Sequence, residues 1–301
     1  MLTHCRHIAI GLVLTVAAFS TGCGRTTKST YTLDVPPEGR AMAVDVENFR
    51  GSVVIRAEPW RSEILVESDV HIDSDTPIED RDALTAGVRV DARIDESEGG
   101  SILRIRTETD APEREDHWVN LRIFAPSVDG LRIDNRGPLK GGLFDGHIMC
   151  VNVGGAMTIA NRNGSVEVRT SRPINEPVTL TTVDGDIYYY IPPGSSGKFD
   201  LETLDGIAGF RNLGSDTDET YSSQKQVYTL LNKGDNPVVA RTNKGYIYVR
   251  VREDAQQYVR TFKRTLPDPR DSFQLNTSRR HTRNLPDDAP SEHSSSFDMY
   301  D

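Results

Sequence analysis

Along most of this chain, apolar residues recur at every second position or gather in short β-branched runs, and a helical period is almost absent. SVVIRA (52–57), EILVESDVHI (63–72), SILRIRTET (101–109), HWVNLRIFAP (117–126), HIMCVNV (147–153), DIYYYIP (186–192) and GYIYVRVR (245–252) are typical, and Gly, Asn, Asp or Pro bounds nearly every such run. Alternation places successive side chains on opposite faces of an extended strand, so the pattern predicts an all-β chain of many short strands. The best helix candidate is brief, Ile78–Thr85 (IEDRDALT).

Glycines repeat within this pattern. Asn163-Gly164 in IANRNGSVEVRT, Asp184-Gly185 in LTTVDGDIYYYI, Asp205-Gly206 in LETLDGIAGF and Lys244-Gly245 in ARTNKGYIYVRV each follow one strand and precede another. Gly164, Gly185 and Gly206 are evenly spaced, and Gly245 follows after nearly two further intervals. Gly142 stands close to one interval before Gly164, and Gly51 in VENFRGSVVIRA opens an earlier copy. A fixed period of about 20 residues is the mark of a solenoid, each unit one coil of short strands. Gly recurs where a turn needs positive φ or a close backbone approach. The expected fold is therefore a single-domain β-solenoid (β-helix-like) of about 20-residue coils. A β-sandwich, which sets turns about every 8–12 residues, stays open as the alternative.

VENFRGSVVIRAEPW, LRIFAPSVDGLRIDNRGPLKGG and VTLTTVDGDIYYYIPPGSSGKFDLETLDGIAGF together resemble a bacterial putative-adhesin family of β-strand-repeat domains of unknown function, related to the head domain of autotransporter adhesins. The shared order is strand, Asn/Asp-Gly turn, strand, then a Pro-containing corner before the next L-x-T-x-x-G, from about Leu33 to Val251. The resemblance implies a β-helix-like fold and an envelope location, and it carries no catalytic residues. The chain departs from the pattern in the acidic insertion Asp73–Asp116 and in a long tail.

The ends supply an address. An apolar run, Ile8–Phe19, follows a short n-region with Arg6; it is too short for a membrane-spanning helix and suits the core of a signal peptide. Ser20-Thr21-Gly22-Cys23 resembles a lipobox, with Ser20 where Leu is usual. The expectation is a signal at 1–22, lipidation at Cys23, a polar tether over 23–30, a β-strand-repeat domain over 31–254 and a polar, mostly disordered tail over 255–301. Gly24 after the cysteine favours the outer membrane; a secreted or soluble periplasmic protein is the alternative. With Cys5 in the signal and Cys23 acylated, Cys150 is left without a disulfide partner and reads as a buried apolar residue. The net charge of −10 argues against nucleic acid, whose phosphates call for clustered Lys and Arg.

Chemistry is sparse. Sequential stacking of equal coils would bring Asp184 and Asp205 side by side at the turn, with Asp186 one position on; these three are weak candidates for a cation site or for the acids of a polysaccharide-active enzyme. Asp before Gly is also ordinary turn chemistry. GSSGK (194–198) lacks the first Gly and the hydroxyl residue of a phosphate loop. Of Tyr188, Tyr189 and Tyr190, one face of the strand belongs in a core and the other is free to meet a sugar ring or a partner. Trp60 and Trp118 read as core or edge anchors. The leading expectation is a non-enzymatic envelope lipoprotein without cofactor, binding a glycan or an envelope protein through a scaffold face. An envelope-stress sensing accessory is the second reading and a β-helical polysaccharide-active enzyme a remote third. The oligomeric state is not legible.

Overall fold

A computed structural model describes residues 15–19, 25–36, 41–97, 99–137, 146–212 and 217–253. The chain divides into two compact units, Met1–Val259 and Arg260–Asp301, and every described residue lies in the first. Cys23, Gly142, most of the signal and the tail 255–301 lie outside the described residues.

The described residues form twenty strands and one α-helix. The first sheet runs, edge to edge, through β1 (Thr15–Phe19), β2 (Arg25–Asp34), β5 (Glu63–Ile72), β8 (His117–Ala125), β4 (Val53–Ala57), β10 (Ile148–Val151), β12 (Val166–Arg169), β14 (Ile187–Ile191), β20 (Ile247–Val251) and β16 (Ala208–Asn212). The second runs through β17 (Thr217–Ser222), β18 (Gln226–Leu231), β15 (Gly197–Asp205), β19 (Pro237–Lys244), β13 (Val178–Asp184), β11 (Met157–Asn163), β9 (Gly130–Asn135), β3 (Met42–Asn48), β7 (Gly100–Thr109) and β6 (Val88–Ser97). The predicted helix is α1 (Ile78–Ala86), with Glu79 and Asp80 in its first turn, where the helix dipole favours acids. No helix among the described residues is long and apolar enough to cross a membrane.

The fold is thus all-β, built on two mixed sheets. In its regular part the chain passes from a strand of the second sheet, through a Gly turn, to a strand of the first: β11 to β12, β13 to β14, β15 to β16, β19 to β20. Neighbouring units pair in parallel, Met157 with Val178 and Val166 with Ile187, so the shift along the chain is the same in both sheets and equals the glycine interval. Inward side chains of both sheets, among them Val46, Ile133, Ile159 and Leu180 from one and Ile55, Cys150, Val168 and Tyr189 from the other, share one core. Burial pushes the Cys150 thiol pKa up, which keeps it inert, as its sequence position suggested.

Two expectations are corrected here. The unit β19–β20 does not follow β15–β16 in space. It lies between β13–β14 and β15–β16, pairing Val178 with Val238 on one side and Phe199 with Val238 on the other. The cause is that β18 returns antiparallel along the outer edge of β15, with β17 beyond it, so that edge is already hydrogen-bonded when the chain reaches β19. The second correction concerns the tether: Arg25–Asp34 is a strand, paired along its length with β5 from Arg25–Ile72 to Asp34–Glu63.

A line of buried polar side chains runs across the second sheet behind the turns. Thr107 donates to Asn48 (2.7 Å), Asn48 to Asn135 (3.2 Å) and Asn135 to Asn161 (3.0 Å). Asn161 and Thr182 both donate to the carbonyl of Gly164, Thr242 to that of Gly185 and Thr203 to that of Gly245. Turn carbonyls that face inward, away from water, thereby find donors. The sequence signal is a polar residue three places before each turn glycine: Asn48, Asn161, Thr182, Thr203 and Thr242.

Candidate binding surface

The insertion of β19–β20 decides the fate of the turn carboxylates. Asp184 stands opposite Lys244, and Lys244 stands opposite Asp205, so a cation of the chain itself separates the two acids. They are two strand spacings apart, about 10 Å. Asp186 is engaged by the fold, accepting from the Tyr188 hydroxyl and from the Tyr246 backbone N–H, both at 2.8 Å. No cluster of three metal-ligating side chains occurs among the described residues. The turn glycines form a column: Gly185 N–H donates to Lys244 O and Gly245 N–H to Asp205 O, while an added Cβ at Gly206 would meet Gly245 O. Gly164 N–H donates to Asp184 O, and Gly51 turns beside Val119 at the other end.

The outward face of the first sheet at its β16 edge carries a different chemistry. GYIYVRVR places Ile247, Val249 and Val251 in the core, so Tyr248 and Arg250 project outward along β20, and Tyr246 stands immediately before it. On β14, Tyr189 is buried in the core while Tyr188 and Tyr190 share the outward face, as the alternation predicted. On the edge strand β16 the outward residues are Gly209 and Arg211. Cross-strand register sets Tyr188 beside Tyr248, Tyr248 beside Gly209, and Arg250 beside Arg211. The missing side chain at Gly209 leaves room for the Tyr248 ring, whose Cδ2 is 3.4 Å from where a Cβ would stand. The Arg250 guanidinium lies 4.4 Å from the centre of that ring, a cation–π contact that orients it. Tyr246 is half exposed, and Leu204, Val183 and Ile207 add exposed apolar surface along the neighbouring turns.

Many other sheet arginines are matched to acids. On the outer face of the second sheet, Arg106 and Arg132 both bind Asp45 (2.7 and 2.8 Å), Arg104 binds Asp95 (2.5 Å) and Arg136 binds Asp134 (2.7 Å). Partial burial works against the Asp45 carboxylate, but hydrogen bonds from Arg106 and Arg132 outweigh it and hold its pKa below the ordinary value. On the first sheet, Arg122 pairs with Asp69 and Arg169 with Glu167. Trp118, on the interior strand β8, is half-buried and stacked on His71 at 5.4 Å, whereas Trp60 is exposed rather than in the core.

A buried histidine sits at the far end of the body. His117 is fully buried; its Nε2 meets the Thr109 hydroxyl at 2.7 Å, its Nδ1 stands 3.5 Å from Asp116 Oδ1, and its ring packs on Phe49. Burial lowers its pKa, and the nearby Arg50 and Arg114 add to this against the pull of Asp116. Hydrogen bonds from Arg114 hold the Asp116 carboxyl well below the carboxylate range, so that acid stays charged. The folded state therefore resists a proton that the unfolded chain accepts below about pH 6.5. Stability is expected to fall as the pH drops through that value and to level off below the folded pKa. Urea midpoints at pH 7.5 and 5.0 check this; His117→Gln should flatten the acid limb, and an unchanged limb would place the acid sensitivity elsewhere. The adjoining cavity of about 190 Å³, lined by Asp80, Leu84, Thr109, Asp110 and Arg114, has its arginine committed to Asp80 and Asp116.

No protein-family model matches this chain, and no curated protein matches it. Among solved structures it is similar to a putative cell adhesion protein from Clostridium sporogenes, with 10% identity and a TM-score of 0.44 over 75% of this chain and 100% of that one. A putative adhesin from Bacteroides fragilis shows 9% identity and a TM-score of 0.26 over 74% of this chain and 96% of that one. A putative adhesin from Parabacteroides merdae shows 10% identity and a TM-score of 0.21 over 75% and 96%. All three TM-scores are below 0.5, too low to carry a role across to this chain.

Proposed function

We propose that this chain is a non-enzymatic protein of the cell envelope, anchored by lipid at Cys23, whose β-solenoid-like body serves as an adhesin-like binding scaffold. The observation that carries the reading is the outward face of β14, β20 and β16, where Tyr188, Tyr248, Arg250 and the exposed Arg211 stand in strand register. Parallel pairing of successive units at a constant shift supports the solenoid description. Lys244 between Asp184 and Asp205, and the two hydrogen bonds to Asp186, support a structural role for the carboxylates an enzyme would have needed.

Two measurements test the reading. Cys23→Ala should move the protein from the membrane to the soluble fraction or block its processing; a variant that fractionates and migrates like the parent would remove the anchor. The full chain should bind isolated envelope material or surface glycans without releasing reducing sugar or unsaturated product. Turnover of any such glycan would replace the scaffold with an enzyme.

A further inference from the structure

Arg211 and Arg250 stand directly opposite one another on adjacent parallel strands, on the same outward face. Like charges directly opposite destabilise a strand pair, where an opposite charge would stabilise it. Among the described residues no ion pair or hydrogen bond joins either guanidinium to a carboxylate, although the chain holds 45 acids and many of its other sheet arginines are matched as described above. Arg250 Nε is moreover shielded from solvent and has no hydrogen-bond acceptor, a buried donor left unsatisfied. Tyr248 fixes the Arg250 head, and β16 is the last strand of the sheet among the described residues, with Arg211 exposed on it.

We propose that Arg211 and Arg250, with Tyr246, form a site for an acidic polysaccharide of the polyuronate class lying along β20. A carboxylate between the two guanidinium groups would relieve their repulsion, and planar guanidinium suits it through paired, charge-assisted hydrogen bonds. Tyr246, just before β20, lies four positions from Arg250, about 13 Å at a strand's rise, which is more than one sugar ring covers. The half-exposed ring of Tyr246 then takes a second pyranose by stacking while the arginines hold the charged one. An extended polymer satisfies both ends, and a single acidic sugar does not. The net charge of −10 makes the local charge decisive: this unmatched pair offsets the general repulsion of a polyanion.

The proposal rests on the binding-scaffold reading and names its ligand class. The test uses the full chain in detergent, with polygalacturonate and alginate as probes, dextran as the neutral glycan, and poly-L-glutamate and single-stranded oligo-dT as the other polyanions. Both polyuronates should bind, more weakly as salt rises, and dextran should not. Arg211→Gln and Arg250→Gln should each weaken binding about tenfold or more, and Arg250→Lys should not restore it. Tyr246→Ala should weaken polyuronate binding with circular dichroism and melting unchanged. Arg211 is exposed on an edge strand, so its variant keeps the fold even where Arg250 variants lose stability. Failure of both polyuronates to bind, undiminished binding by Arg211→Gln, or equal binding of polyglutamate or oligo-dT would overturn the proposal. If the chain binds envelope material while Arg211→Gln changes nothing, this site falls and the scaffold reading stands.

Discussion

Gly185→Ala is expected to lower the free energy of unfolding by about 3–5 kcal/mol, combining left-side φ strain with overpacking. Gly185 has φ of +153°, and a Cβ there would stand 2.2 Å from Gly164 O, a backbone atom of the adjacent turn that cannot step aside. The same holds one strand on, where a Cβ at Gly245, with φ of +139°, would meet Gly185 O at 2.2 Å. Each turn thus leans on the next through bare backbone, and a methyl group at either position pushes two units apart. Denaturant melts of Gly185→Ala and Gly245→Ala measure the effect, with Gly99→Ala, where nothing lies within 4 Å of the added carbon, as the control. A loss below about 1 kcal/mol at both turn positions would show that the stacked turns relax freely and that the column has no structural role.

Asn135→Ala should cost about 3–6 kcal/mol, the sum of several buried groups left without partners. Its side-chain amide donates to Gly51 O at 2.9 Å and to Asn161 Oδ1 at 3.0 Å, and its carbonyl accepts from Asn48 Nδ2 at 3.2 Å. All three asparagines are buried, so no solvent replaces what the substitution removes. Asn135→Asp keeps the acceptor and loses both donations, so it should be damaging as well, and still more so because a charge is buried. Asp134→Ala, next along the chain but on the outer face, breaks only a surface pair with Arg136 and should stay within about 1 kcal/mol. Equal effects at 134 and 135 would mean that the polar line adds nothing beyond the strand it sits on.

The strands and their facing were legible from the sequence because alternation is local. Val53, Ile55, Val166, Val168, Ile187, Tyr189, Ile247 and Val249 all point inward, as a period of two demands. The short helix expected at Ile78–Thr85 is α1, and Gly51, Gly164, Gly185, Gly206 and Gly245 each have positive φ between two strands. Three strands escaped. Thr15–Phe19 lies in the apolar run read as a signal core and pairs antiparallel with β2. Arg25–Thr30 is polar throughout and extends because β5 offers it a complete hydrogen-bonding edge; Thr217–Ser222 is likewise polar and extends against β18. Propensity cannot show an edge that another part of the chain supplies.

What the sequence alone determined is the repeating unit: strand, polar residue, glycine turn, strand, with a core face and an outward face in each. What only the tertiary structure decided is the order of those units. Parallel strands of like pattern offer one another nearly the same ladder of donors and acceptors, so the even glycine period by itself favours sequential stacking. The hairpin β17–β18 occupies the outer edge of β15 and leaves β19–β20 the place between β13 and β15. That placement turns Asp184 and Asp205 from neighbours into acids flanking Lys244. It also brings Arg211 beside Arg250, although the β17–β18 hairpin and β19 lie between them in the sequence. Which edge is free when a strand arrives is a non-local property, and from it follow both the separation of the two turn acids by Lys244 and the unmatched arginine pair.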